Sequence, residues 1–251
     1  MTISHAEACT IIEIMREAAH SEILPRSQTA EPVGVREKTS HLDLVTEADV
    51  AAERRISASL TKAFPSAIVI GEEATAADPT LLRHLEDTKR AILVDPFDGT
   101  KTFASGLPLF GVIVAVVNRG EVAAGIILEP VGDTWTVALR AEGAWTERAD
   151  GSWWSHRVAS SRPLGEMLGL VSWMFLSEPF RSRVLRGMVH TAGAADYRSA
   201  AHHYRLLADG HNDFALFGKL MPWGHAAGWP VHREAAATRP ASRVRRTSRI
   251  T

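Results

Sequence analysis

The chain has 251 residues, 45% of them apolar, long enough to bury one large core or two lobes that share one. Lys plus Arg number 28 against 29 Asp plus Glu, so charge gives no reason to expect nucleic acid or a membrane as partner. Cys9 is the single cysteine, which excludes an intrachain disulfide framework and a zinc cluster built on thiolates. With Glu7 and Glu13 near the start and no apolar run of membrane-spanning length, the expected location is the cytoplasm.

In chain order, Ala8, Ile11, Ile12, Met15, Ala18, Ala19 and Ile23 recur at helical spacing and predict an amphipathic helix that Pro25 ends. A second helix is predicted from Glu47 to Phe64, with Thr46 as a natural N-cap, Pro65 as its stop and residues 38–46 as the linker before it. Apolar runs at 67–70, 91–94, 111–118, 122–128, 135–139 and 143–146 predict a strand series, with Arg119-Gly120-Glu121 as one turn and Asp150-Gly151 as another. Beyond an approximate lobe boundary near residue 150, strands are expected at 168–171 and 214–217 and helices at 178–189 and 199–208. After Glu234, residues 235–251 carry five arginines and almost no bulky apolar side chain, which marks a basic tail unlike the rest.

Asp95-Pro96-Phe97-Asp98-Gly99-Thr100 follows the apolar run Ile92-Leu93-Val94. Two carboxylates at the end of a buried strand, with Pro96 fixing the turn and Gly99 freeing the backbone, suit a hard divalent ion such as Mg2+. The amides of Gly99 and Thr100 could receive a phosphate, particularly if they open a helix. The competing reading is an Asp-rich turn whose carboxylates cap backbone amides. Glu72, after Ile68-Val69-Ile70-Gly71, stands at another strand end, where paired glutamates are otherwise solvated surface. Asp49 falls in the first turn of the second helix, where an acidic residue also suits the helix dipole.

In their order, Lys38, Asp43-Leu44-Val45-Thr46, Asp49, Gly71-Glu72-Glu73, Asp95 to Thr100 and Pro222-Trp223-Gly224-His225-Ala226-Ala227-Gly228 resemble the inositol monophosphatase family, magnesium-dependent and lithium-sensitive phosphomonoesterases. The resemblance spans nearly the whole chain. It implies an α+β fold layered α/β/α/β over residues 1–234, a homodimer, and a metal site between the lobes. It further implies Mg2+ on Glu72, Asp95, the Phe97 carbonyl and Asp98, with Asp49 and Thr100 on the water-activating side. Thr100 would orient a water that Glu72 holds through the metal, and attack on the phosphate would be direct and in line.

Four departures bear on activity. The family's Trp-Asp is here Trp223-Gly224, which removes a carboxylate, with His225 beside the gap. Arg198 stands where relatives have glycine in a Gly-Ser-Ala-Ala stretch, and Phe217 stands near an acidic substrate contact of relatives that act on inositol phosphate. Where relatives continue with Gly-Gly, this chain gives Ala236-Ala237-Thr238-Arg239-Pro240. Read one nucleotide over in GC-rich codons, that stretch can encode a family-like ending, so a frameshift is hypothesised, against a solvated arginine-rich tail. Two readings of function stay open: hydrolysis of a small inositol, histidinol, sugar or nucleotide phosphate, or an impaired homologue that binds a phosphate ligand or a partner.

Overall fold

The computed structural model describes residues 3–27, 34–40 and 43–237. The chain begins with α1 (His5–Ala18), opened by a reciprocal cap in which the Ser4 hydroxyl accepts the Glu7 N–H and the Glu7 carboxylate accepts the Ser4 N–H. Pro25 does not end it. The helix widens into a π turn over Ala19–Ile23 and continues as α2 (Leu24–Ser27), with Pro25 in a first turn, where a missing N–H costs least.

The expected linker at 38–46 is instead part of a pair of antiparallel strands, β1 (Arg36–Ser40) and β2 (Asp43–Val45), with Arg36 opposite Val45. The polar run Arg36 to Ser40 has no apolar alternation, so nothing in its pattern announces a strand. Then α3 (Glu47–Ala63) starts from Thr46 as expected, and β3 (Ile68–Gly71) leads into α4 (Glu72–Ala77) and α5 (His84–Asp87).

Next come β4 (Ala91–Asp98), α6 (Thr100–Ala104), β5 (Gly111–Asn118), β6 (Glu121–Glu129), β7 (Thr134–Leu139), β8 (Gly143–Arg148) and β9 (Trp153–Ser155). Strands β3 to β9 form one sheet in chain order, parallel between β3 and β4 and antiparallel elsewhere. Along β5, Val112, Val114 and Val116 face the core shared with α1 and α3, whereas Ile113, Ala115 and Val117 face a second core on the opposite side. A sheet buried on both faces reads as continuous apolar runs, as these strands do.

The later chain adds β10 (Leu168–Ser172), α7 (Phe180–Met188), β11 (Gly193–Ala195), α8 (Ala200–Ala208), β12 (Phe214–Phe217), α9 (Pro222–His225) and α10 (Gly228–Ala236). Helices α8 and α10 supply Ala201, Ala208, Val231 and Ala235 to the second core. A parallel sheet of order β11-β10-β12 lies beyond them, where Tyr204 of α8 stacks on Phe217 of β12 at 5.1 Å. The result is the expected α+β layering of helix, sheet, helix and sheet. The boundary read at Glu234 falls inside α10, because Ala235 is buried in the second core. The hypothesised frameshift concerns residues that lie, from 238 onward, outside the described ones. Among the described residues, no helix is long and apolar enough to cross a membrane.

Candidate active site

The site grows from the parallel pairing of β3 with β4. Gly71 is in register with Val94, so the next residues, Glu72 and Asp95, emerge side by side at the carboxyl ends of both strands. Gly71 is required there: a Cβ would lie 2.3 Å from Cδ of Glu53, whose carboxylate accepts the N–H groups of Glu73 (2.7 Å) and Ala74 (2.8 Å) at the start of α4. Sequence reasoning missed Glu53. The available signal was an acidic residue in line with Asp49, Ile56 and Leu60 on the buried stripe of α3.

Pairing between β4 and β5 slips after Asp95, which opposes Ile113, so that Asp98 opposes Gly111 and one extra residue is accommodated around Pro96. The Asp95 carboxylate accepts the Phe97 N–H at 3.2 Å. The Phe97 ring is fixed edge-on against Phe103 and Phe110, at 4.7 and 5.2 Å. Gly99 turns the chain at a φ of 90°, and a Cβ there would sit 2.6 Å from the Leu109 carbonyl oxygen. Helix α6 therefore opens at Thr100.

The Thr100 hydroxyl lies 3.0 Å from Oδ1 of Asp49 and 3.0 Å from the Phe97 carbonyl. The other oxygen of Asp49 accepts the backbone N–H of Thr46 at 2.8 Å and its hydroxyl. Asp98 caps α8, accepting from the Ser199 hydroxyl (2.5 Å) and the N–H groups of Ala200 (3.0 Å) and Ala201 (2.9 Å). Ser199 in turn meets Nδ1 of His202 at 2.9 Å. Lys38 bridges the two glutamates, its Nζ 2.8 Å from Glu72 and 2.5 Å from Glu73.

Burial dominates the electrostatics. It pushes Asp49 up to about 6 against the hydrogen bonds from Thr46 and Thr100 that stabilise the anion. It raises Asp95 well above the usual carboxylate range, reinforced by the nearby charges of Glu72 and Asp98. For Lys38, burial acts downward but Glu72 and Glu73 outweigh it and hold the ammonium well above its ordinary value. One ammonium shared by two carboxylates does not neutralise both, and burial leaves Glu73 pushed up to about 7.

Glu72, Asp95, Phe97, Asp98, Gly99 and Thr100 line one cleft of about 180 Å³, and Asp49 stands behind Thr100. Their hard oxygens and the mutual repulsion recorded at Asp95 suit a divalent cation. Among the described residues, no three Asp, Glu, His or Cys groups are drawn together at metal-binding distance, since Glu72 is turned to Lys38 and Asp98 to α8. Across the cleft, a Cβ on Gly224 would lie 3.4 Å from Oδ2 of Asp95, so the missing carboxylate would have stood beside this one. His225 does not replace it: Nδ1 meets the Tyr204 hydroxyl at 3.1 Å and Nε2 the Lys219 carbonyl at 3.0 Å.

The Inositol monophosphatase family model matches residues 2–240. A fructose-1,6-bisphosphatase/inositol-1-monophosphatase of Thermotoga maritima is 29% identical over 227 residues, 89% of this chain and 80% of that protein. A Nus factor SuhB of Pseudomonas aeruginosa is 32% identical over 241 residues, 90% of this chain and 83% of that protein. The solved extragenic suppressor protein suhB of Bartonella henselae superposes with a TM-score of 0.75 at 27% identity, covering 92% of this chain and 85% of that one. The solved Thermotoga maritima IMPase gives 0.74 at 27% identity, covering 92% and 83%. Family match, sequence identity and superposition agree, and this chain belongs to the inositol monophosphatase family.

Proposed function

We propose that the protein hydrolyses a small phosphate monoester with a magnesium-activated water, at the cleft between the end of the large sheet and the second lobe. The observation that carries this reading is the Thr100 hydroxyl held between Asp49 and the Phe97 carbonyl beside Glu72 and Asp95. With its proton donated to Asp49, the hydroxyl offers its lone pairs to a water and aligns it. Asp49, raised to about 6, is ionised and able to accept at neutral pH. The residues to hold Mg2+ are Glu72, Asp95, the Phe97 carbonyl and Asp98. The ion would supply charge neutralisation for the phosphate and a lowered pKa for the water. Gly99 and Thr100, at the start of α6, would bind a phosphate oxygen through their N–H groups. We further propose that the protein works as a homodimer.

The test is phosphate release from a panel of phosphomonoesters with and without magnesium. Mg2+-dependent release that Asp95→Asn abolishes supports hydrolysis; no release from any ester overturns it. Gly224, and relatives named as Nus factors rather than as phosphatases, favour a second reading, a homologue that binds a phosphate ligand or a partner. That reading expects saturable phosphomonoester binding in calorimetry with no turnover.

A further inference from the structure

The acidic wall of the cleft faces a wall of a different kind. The turn after β10 and the segment after β12 lie against each other: a Cβ on Gly218 would be 2.7 Å from the Ser172 carbonyl oxygen and 3.1 Å from the Phe175 carbonyl carbon. This close approach sets Met174, Phe175, Phe217 and Met221 around the cleft opposite the carboxylates. Phe217 is held by Tyr204 at 5.1 Å and by the His225 ring, edge-on, at 4.6 Å. Phe175 is 39% exposed at the mouth, with Nζ of Lys219 5.8 Å above its ring. Among the described residues that line the cleft, no carboxylate stands with these four. A polyol on this side would meet little polar surface beyond the Ser172 hydroxyl and the His203 ring and would trade water contacts for apolar ones, whereas a flat ring would find aromatic faces and thioethers.

Arg198 is the second observation. It lines the same cleft with a φ of 52°, a left-handed conformation that glycine adopts freely and arginine only against steric resistance. Its N–H is tied to Oδ1 of Asp196 at 2.9 Å, and the next residue, Ser199, begins the cap on Asp98, so the backbone cannot relax without disturbing the acidic wall. The guanidinium has no hydrogen-bond or ion-pair partner among the described residues. Arg198 lines the cleft together with Lys101 and Lys219, and cations at the mouth of a cleft whose far wall is anionic favour a second negative charge on the ligand, placed away from the carboxylates.

From these observations we infer that the ligand is a phosphate monoester whose alcohol part is a flat, apolar ring bearing a further anionic group, the ring lying on Phe175 and Phe217 and the anion on Arg198. This rests on the proposed phosphatase site for the position of the phosphate, but it is a statement about binding.

The test is titration calorimetry, in the presence of magnesium, with three non-hydrolysable phosphonates: benzylphosphonate, 4-carboxybenzylphosphonate and a cyclic polyol phosphonate. The carboxylated ring is expected to bind about tenfold tighter than the plain ring, the size of one charge-assisted contact at an open site, and the polyol weakest. Arg198→Gly should bring the two ring affinities together, and Phe175→Ala should weaken both. Equal or tighter binding of the polyol, a carboxylate preference that survives Arg198→Gly, or no binding of any phosphonate overturns the inference. Phosphate release from 4-carboxybenzyl phosphate, followed in parallel, separates the two claims: tight binding without release sinks hydrolysis and leaves this inference standing.

Discussion

The two walls of the cleft are built on different principles. On the sheet side, backbone groups help to hold three of the polar groups: the Phe97 amide holds Asp95, the amides of α8 hold Asp98, and the Phe97 carbonyl, with Asp49, holds Thr100. The second wall presents side chains from turns and from the ends of short elements, with an arginine in a left-handed conformation and a glycine in the place of a carboxylate. A wall fixed by the ladder itself cannot vary without breaking strand register, whereas a wall of turns can change chemistry residue by residue. In this molecule reactivity should therefore reside in the sheet end and selectivity in the turns.

Asp95→Asn gives the sharpest contrast. Removing a proposed metal ligand is expected to reduce magnesium-dependent phosphate release by about a thousandfold or more. The same change relieves repulsion among Asp95, Glu72 and Asp98, so the melting temperature without magnesium should rise. A fall in both would mean that Asp95 serves the fold before it serves chemistry.

The acidic wall should also carry a pH signature. Asp49 rises from an ordinary 3.8 to about 6 in the folded protein, so its favourable contribution is complete below about 4 and is lost as pH climbs through 6. The loss amounts to about 3 kcal/mol at pH 7. Glu73, pushed up from 4.5 to about 7, acts in the same direction. Metal-free protein is thus expected to melt lower at pH 7 than at pH 5, and Asp49→Asn should flatten part of that slope in a thermal scan. Thr100→Ala should lower kcat about a hundredfold with little change in KM, and Thr100→Ser should restore most of it. Equal losses in both variants would assign the effect to packing of the Thr100 methyl, which both variants lack, rather than to the hydroxyl.

How much of each wall could be read from sequence follows the same division. Asp95 to Thr100 are contiguous, and contiguity made the strand end, the turn and the hydroxyl legible together. Thr46 was legible as an N-cap and Asp49 as a first-turn acid, yet the aim of Asp49 at Thr100 depends on a contact 51 residues away. Glu53 escaped because its partners are backbone amides beyond Gly71, and backbone leaves no trace in residue identity. The α8 cap on Asp98 escaped for the same reason. Arg198 and Phe217 were seen as departures from a pattern, but the φ at Arg198 and the stacking under Phe217 that give them a physical meaning belong to the fold.

The smallest effect joins the walls. Gly224→Asp would place a carboxylate on the selective wall beside Asp95, with 3.4 Å between the new Cβ and Oδ2. Without magnesium the added charge should lower the melting temperature, because another anion joins an already repulsive group. With magnesium it should tighten metal binding by about tenfold, one added ligand for a hard ion. Magnesium titrations followed by thermal shift read both signs at once. If the variant binds the ion no better, the second wall lies outside the reach of the metal, and Gly224 marks space kept for the substrate rather than a ligand that was lost.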